Sequence, residues 1–252
     1  MTTRQNSRQR GAALRAHLGL DRRAGPEAVP GFDDFMAEVA FGGIWDRPGL
    51  GRADRMICTL AMLSPLQRLP QIETMTAAAL DLGLSPRSIL EVFMQAGLYA
   101  GFVTTETAAR VAHGVFAARG VSIAPEPARD DSNDELDRRG RELLATLHGE
   151  RGSQGYAAPG NAITGALYPS AIRYGYGDLW YRPGLDHRQR MLVALAAFTG
   201  LGLQNLLRKF SQSALNVGLT REEIVEAVIQ TGPYSGFPRA LEGLGILSEV
   251  LK

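Results

Sequence analysis

Two stretches of the sequence place an indole two residues from a guanidinium: Trp45-Asp46-Arg47 and Trp180-Tyr181-Arg182. A flat apolar ring beside a bidentate donor suits an aromatic carboxylate or a lactone, which makes Trp45, Arg47, Trp180 and Arg182 candidate substrate-binding residues. Pro-Gly follows in both stretches, so the same residues also read as a rigid loop stacked on its own tryptophan. Tyr99 and Tyr234 follow glycine-containing turns and present their phenols either to a pocket or to the core, with the hydroxyl satisfied there. Thiol chemistry is poorly supplied. Cys58 is the one cysteine, so neither an intrachain disulfide nor a multi-thiol metal cluster is available. Its apolar surroundings, Met56-Ile57-Cys58, mark a buried structural thiol. His17, His113 and His148 show no metal-ligand spacing, and His187, just behind Asp186 at a helix start, is expected at the surface. No metal or nucleotide motif is present, and no cofactor is expected.

The elements that must position these groups follow from length and pattern. At about 150 residues per domain, 252 residues make one large or two small domains. A hydrophobic share of 45% supports a sizeable core, and a formal charge of +1 argues against a general nucleic-acid or membrane-surface binder. The basic residues are almost all arginine, with Lys209 and Lys252 the two lysines. That bias reads either as phosphate or carboxylate binding or as the codon usage of a GC-rich genome. Residues 1–20 carry four arginines and no acid, but lack the apolar core of a secretory signal, and read as the first turns of a helix. The longest apolar stretch, 191–203, is too short to span a bilayer. A cytoplasmic protein with a small-molecule substrate is the expectation.

The chain repeats itself. Trp45 through Leu50 matches Trp180 through Leu185 at an offset of 135, and the same offset aligns Arg55 with Arg190, Glu91 with Glu226 and Gln95 with Gln230. Across 41–102 against 176–237, roughly 22 of about 62 positions are identical without a gap. Upstream, Arg10-Gly11 echoes Arg139-Gly140. This is a tandem duplication, expected as 1–120 and 134–252, joined over 121–133 by a linker containing Pro125, Pro127 and a charged run.

Each copy reads as all-α. Segments 55–66 and 190–201 are apolar on most sides, as central buried helices would be. Gly83 and Gly218 fit the left-handed position that ends a helix. Ser85-Pro86 and the Thr220/Glu223 capping box each start the next one. Arg55 with Glu91, and Arg190 with Glu226, are expected as ion pairs within each copy, with a role in the fold.

The order Arg-Gly, Trp-x-Arg-Pro-Gly-Leu, Gly-Leu-Thr-x-x-Glu-Ile and Tyr-x-Gly-Phe-Pro resembles the carboxymuconolactone decarboxylase family of the alkylhydroperoxidase D-like superfamily. The second copy is the closer match; the first departs at Val103, where the family has proline. The resemblance implies two tandem alkylhydroperoxidase D-like helical bundles. It also implies a homotrimer of two-copy chains, since one-copy members commonly form hexamers. The decarboxylase branch places a histidine eight residues before the glycine of the Gly-Leu turn, and here those positions are Met75 and Phe210. The peroxidase branch places two cysteines seven and four residues before that histidine. They fall on Arg68 and Gln71, and on Leu203 and Leu206, which removes a disulfide-cycling peroxidase. Beside the lost histidines, copy one offers Gln71 and Glu73, and copy two offers Gln204, Asn205 and Lys209. Glu73 against an apolar wall at Met75, or Lys209, is the candidate catalytic group. The resemblance thus implies cofactor-independent decarboxylation, proton shift or lactone chemistry on an enolisable cyclic carboxylate, lactone or polyketide-derived aromatic. A binding or scaffold protein whose catalytic equipment has decayed is the alternative.

Overall fold

Each half folds into the same succession of helices, because each carries the same stop and start signals. In a computed structural model, which describes residues 3–21, 27, 29–126, 129–154, 158 and 160–251, the first half runs α1 (Arg4–His17), α2 (Phe32–Met36), α3 (Arg52–Leu63), α4 (Leu69–Asp81), α5 (Pro86–Ala100) and α6 (Phe102–Ala118). The second runs α7 (Asn133–His148), α8 (Tyr168–Ser170), α9 (His187–Leu201), α10 (Gln204–Ala214), α11 (Arg221–Ser235) and α12 (Phe237–Val250). α2 continues into wide π turns over Ala37–Trp45, and α8 does the same over Ala171–Tyr176. No strand occurs among the described residues. No helix among them is long and apolar enough to cross a membrane.

The local signals behave as their chemistry requires. Gly83 and Gly218 both sit at φ +86°, where a side chain is disfavoured. Ser85 accepts the amide of Ser88 at the start of α5, and Thr220 and Glu223 cap α11 reciprocally. A second capping box, Asp186 with Gln189, starts α9. The Arg-Gly echo marks a close backbone approach. A Cβ on Gly11 would lie 1.7 Å from the Ala37 carbonyl oxygen, and one on Gly140 would lie 2.4 Å from that of Ile172. α1 and α7 therefore press directly onto the π turns of their own halves. Pro127, in the expected linker, lies outside the described residues.

α3 and α9 form the centre. Every residue from Arg55 to Leu63 and from Arg190 to Gly200 is buried. The two helices pack on each other, and α5 and α11 pack across them. Helices of the two copies thus alternate in one continuous core. Contacts are reciprocal, α3 with α11 and α9 with α5, as in the isologous interface of a two-fold dimer.

Candidate active site

The reciprocal packing decides what the repeated arginines do. Arg55, fully buried, donates to Glu226 Oε2 (2.8 Å) and Gln230 Oε1 (3.1 Å) of the other copy. It also donates to the carbonyls of Leu50 (3.1 Å), Arg47 (2.9 Å) and Pro48 (3.0 Å). Arg190 mirrors it on Glu91 (3.0 Å), Gln95 (3.1 Å) and the Arg182 carbonyl (2.7 Å). The ion pairs expected within each copy, Arg55–Glu91 and Arg190–Glu226, are therefore crossed between copies. α3 faces α11 rather than α5's glutamate, and two identical repeats offer each arginine a choice that sequence cannot resolve.

The Trp-x-Arg loops belong to this same network. Arg47 donates to both oxygens of Glu226 (2.7 and 3.1 Å), and Arg182 to those of Glu91 (2.9 and 3.2 Å). The carboxylate in each fork is thus the protein's own. Trp45, buried, donates from Nε1 to the Tyr234 hydroxyl at 2.7 Å. Trp180, also buried, stacks on Tyr176. Gln95 donates to the Tyr99 hydroxyl at 2.7 Å. These residues build the walls between the copies, and among them the rings of Tyr234, Tyr99, Trp180 and Tyr176 line a cavity.

Two cavities are related by the repeat. The first, about 630 Å³, is lined by Phe41, Leu63, Gln71, Met75, Pro233 and Tyr234, with Arg15, Asp33, Met36, Arg68 and Thr74 among the others. Shifting the first four of those six forward by 135 and the last two back by 135 gives Tyr176, Phe198, Leu206, Phe210, Leu98 and Tyr99, all of which line the second cavity, of about 160 Å³. Both lost-histidine positions, Met75 and Phe210, thus face a cavity. In copy two that cavity has closed in: Phe198 and Phe210 pack edge to face, 4.9 Å between centroids. In copy one it stays open and is polar at its mouth.

Arg68 and Gln71 form that mouth, and the backbone aims them. Gln67, just before Arg68, has φ +53°, the one left-handed non-glycine among the described residues. Its counterpart in copy two is Gly202, at φ +70°. A side chain costs about 1 kcal/mol there, and the Gln67 amide offsets the strain by donating to the carbonyls of Ser64 (2.7 Å) and Thr104 (3.2 Å). Arg15 is held by the Asp33 carbonyl (3.0 Å) and carboxylate (3.3 Å). The exposed Arg68 side chain makes no hydrogen bond or ion pair among the described residues and is open to a ligand.

Glu73 is exposed and does not line the cavity. Gln71, Thr74 and Met75 share the cavity face of α4 at helical spacing, which turns Glu73 away from it. Lys209 lies half-buried in a separate cleft of copy two, beside Arg151. Cys58 is fully buried, and burial followed by the Asp54 charge pushes its thiol well up, the wrong direction for a thiolate nucleophile. His187 packs half-buried against Trp180 and Tyr181 rather than lying free at the surface.

Sequence reasoning passed over His148. Its imidazole is buried behind Phe210, with Nδ1 2.7 Å from Ser213 Oγ and Nε2 3.1 Å from the Tyr176 hydroxyl. Burial, then the charges of Lys209 and Arg151, push its pKa down to about 3. The unfolded chain takes up this proton near its ordinary value of 6.5, but the native state refuses it until about pH 3. Stability from this group is therefore complete above about pH 6.5 and falls as pH drops toward the native value. His148→Gln is expected to flatten the melting temperature between about pH 7 and pH 4 relative to the parent. An unchanged slope in thermal scans would show that another group governs it.

The sequence pattern that defines the carboxymuconolactone decarboxylase family matches residues 30–114 and 166–249, and the chain belongs to that family, with two copies in tandem. Among similar proteins, 4-carboxymuconolactone decarboxylase of Acinetobacter baylyi is 32% identical over 80 residues, covering 32% of this chain and 60% of the relative. Nitrosuccinic acid decarboxylase of Metarhizium robertsii is 29% identical over 133 residues, covering 48% of this chain and 88% of the relative. The chain thus spans less than two thirds of the first relative and most of the second.

Proposed function

We propose that copy one is the working half of a decarboxylase for a small acid whose own carbonyl or nitro group, adjacent to the carbon losing carbon dioxide, takes up the electron pair. The observation that carries this reading is the copy-one cavity, with the unpaired Arg68 and Gln71 at its mouth facing an apolar wall of Phe41, Leu63 and Met75. Two similar proteins named as decarboxylases support the reaction class. The bond from the α-carbon to the carboxylate breaks, and carbon dioxide leaves. The electron pair moves into the neighbouring π system, where the developing oxyanion meets the Arg68 guanidinium. The apolar wall strips water from the departing carboxylate, and a solvent proton entering through the mouth completes the product. Enolisable cyclic carboxylates and lactone acids are the substrate class. Glu73 and Lys209, outside this cavity, take no part in the step. The unit we propose is a trimer of two-copy chains, repeats at 1–120 and 134–252, working in the cytoplasm. The exposed Phe102 and Val103, and Phe237 and Leu241 at the equivalent corner, support further association.

The test is carbon dioxide release from a panel of β-keto, α-nitro and lactone acids. Turnover of at least one member, reduced about 100-fold in Arg68→Met, is expected. Turnover unaffected by Arg68→Met would overturn the assignment. In copy two, the cavity closed by Phe198 and Phe210 favours the alternative reading of decayed equipment for that half alone.

A further inference from the structure

What remains of the copy-two cavity is a chamber of about 160 Å³ walled by aromatic rings. Tyr99, Phe198 and Phe210 tilt against one another there, with centroids 4.5 Å apart for Tyr99 and Phe198 and 4.9 Å for Phe198 and Phe210. Tyr176 and Trp180 add a stacked pair at 6.2 Å. No charged side chain lines the chamber among the described residues. The three phenols of the wall are engaged from outside it. The Tyr99 hydroxyl accepts from Gln95 (2.7 Å), the Tyr176 hydroxyl meets Nε2 of the buried His148 (3.1 Å), and the Tyr168 hydroxyl donates to the Gly152 carbonyl (3.4 Å). None of these three partners lines the chamber. The wall therefore offers ring surface to whatever enters.

The repeat separates this chamber from a mere remnant. Asp33, Met36 and Gln71 line the cavity of copy one, and at the same places copy two has Tyr168, Ala171 and Leu206. The acid and the amide have given way to a ring and an apolar chain, but at position 171 the side chain is smaller, not larger. A methionine there would occupy much of the space, and copy one carries one at the equivalent place. An empty void forfeits the contacts its walls would otherwise make, so a half that had only lost its chemistry is more stable with the space filled. An open chamber whose polar lining has been exchanged for rings is the pattern of a site for a different ligand.

We propose that the copy-two chamber binds a neutral one-ring aromatic molecule of the size of benzene or phenol. An apolar cavity of about 150 Å³ takes up one such molecule. A ring among rings adds edge-to-face and stacked contacts to the area it buries, whereas an ionised group would lie there without a counter-charge. Tyr168 also lines an outer cleft of about 410 Å³ between α7 and α8, so its ring lies between the chamber and a route to solvent. The chamber shares no lining residue with the copy-one cavity, and its ligand is independent of whether that cavity decarboxylates acids.

Calorimetric titration and thermal melting of the intact chain with benzene, phenol, cyclohexane and benzoate test this. Saturable one-to-one binding of benzene or phenol is expected, with a melting temperature that rises with ligand concentration. Benzene alone supports a hydrocarbon site, and phenol alone a site for a hydroxylated ring. Cyclohexane is expected to bind about tenfold more weakly, and benzoate about 100-fold more weakly. Ala171→Met is expected to abolish binding while melting at or above the parent temperature, since it fills the space with copy one's own residue. Leu206→Gln, which restores copy one's amide, is expected to weaken binding about tenfold. Arg68→Met should leave it unchanged. The proposal is overturned by absence of saturable benzene and phenol binding, or by cyclohexane or benzoate binding as tightly as either. Binding that survives a folded Ala171→Met, or Leu206→Gln should Ala171→Met not fold, overturns it too, as does binding lost in Arg68→Met.

Discussion

Replacing Glu226 with glutamine is expected to lower the melting temperature by roughly 10 °C. Glu226 is 4% exposed and answers two guanidiniums, one of which, Arg55, is completely buried. Glutamine keeps the size and one acceptor oxygen but no charge, so Arg55 would remain as an uncompensated cation in the core. Removing one partner of a buried pair costs about 3–5 kcal/mol, far more than an exposed pair is worth. Arg55 also fixes the Trp45–Leu50 loop through three carbonyls, so the loss spreads to the wall between the copies. Glu91→Gln strikes the mirror-image network and is expected to cost a similar amount. Burial alone would raise the Glu226 carboxyl pKa, but the bonds and charges of Arg47 and Arg55 outweigh it and hold it below the ordinary value. The native pKa being lower than the unfolded one, the Glu226 contribution is present above about pH 4.3 and disappears as pH falls through the depressed native value. Thermal scans of Glu226→Gln should therefore differ most from the parent at neutral pH and converge with it in acid. A variant as stable as the parent at neutral pH would show that the crossed pairs do not hold the halves together.

What could be read in the sequence was what is local. Gly83, Gly218, Ser85 and Thr220 act on residues within one turn, and a helix end has few alternatives, so these positions fold as their chemistry predicts. The duplication was equally legible, and with it the central place of α3 and α9. The crossed ion pairs were not legible, since Arg55 sees the same glutamate motif twice and only tertiary packing selects Glu226. Glu73 was near the right helix face but two positions off: counting from Met75 back to Gln71 gives the cavity side, a signal present in the sequence. Gln67 against Gly202 was another, since one repeat keeps glycine where the other does not. Arg15 and Asp33 carried no local sign, because α1 and α2 reach the cavity only through the glycine-tight packing of Gly11 on the π turns. His148 lies outside the aligned part of the repeat and is buried by contacts from α10 and the π turns of Ala171–Tyr176.

Transplanting copy two's residues into copy one, as Arg68→Leu, Gln71→Leu and Met75→Phe together, is expected to abolish decarboxylation, by about 1000-fold or more. The substitution removes the unpaired cation and the amide at the mouth, and fills the cavity with the ring that already fills its counterpart. Stability is expected to change little, since this same trio, Leu203 at the N-cap of α10 with Leu206 and Phe210 within it, already stands at the equivalent helix of the same chain. An activity loss can therefore be separated from misfolding by thermal melting and circular dichroism. The reciprocal change, Leu203→Arg, Leu206→Gln and Phe210→Met in copy two, should leave turnover at the copy-one cavity intact. Because the two halves share one core through α3 and α9, the pair of variants compares two sites within a single folded body, and differences in expression or assembly cannot mimic the result. Retained carbon dioxide release in the first variant would remove the copy-one cavity from the reaction; loss only in the second would move the chemistry to the aromatic cavity of copy two.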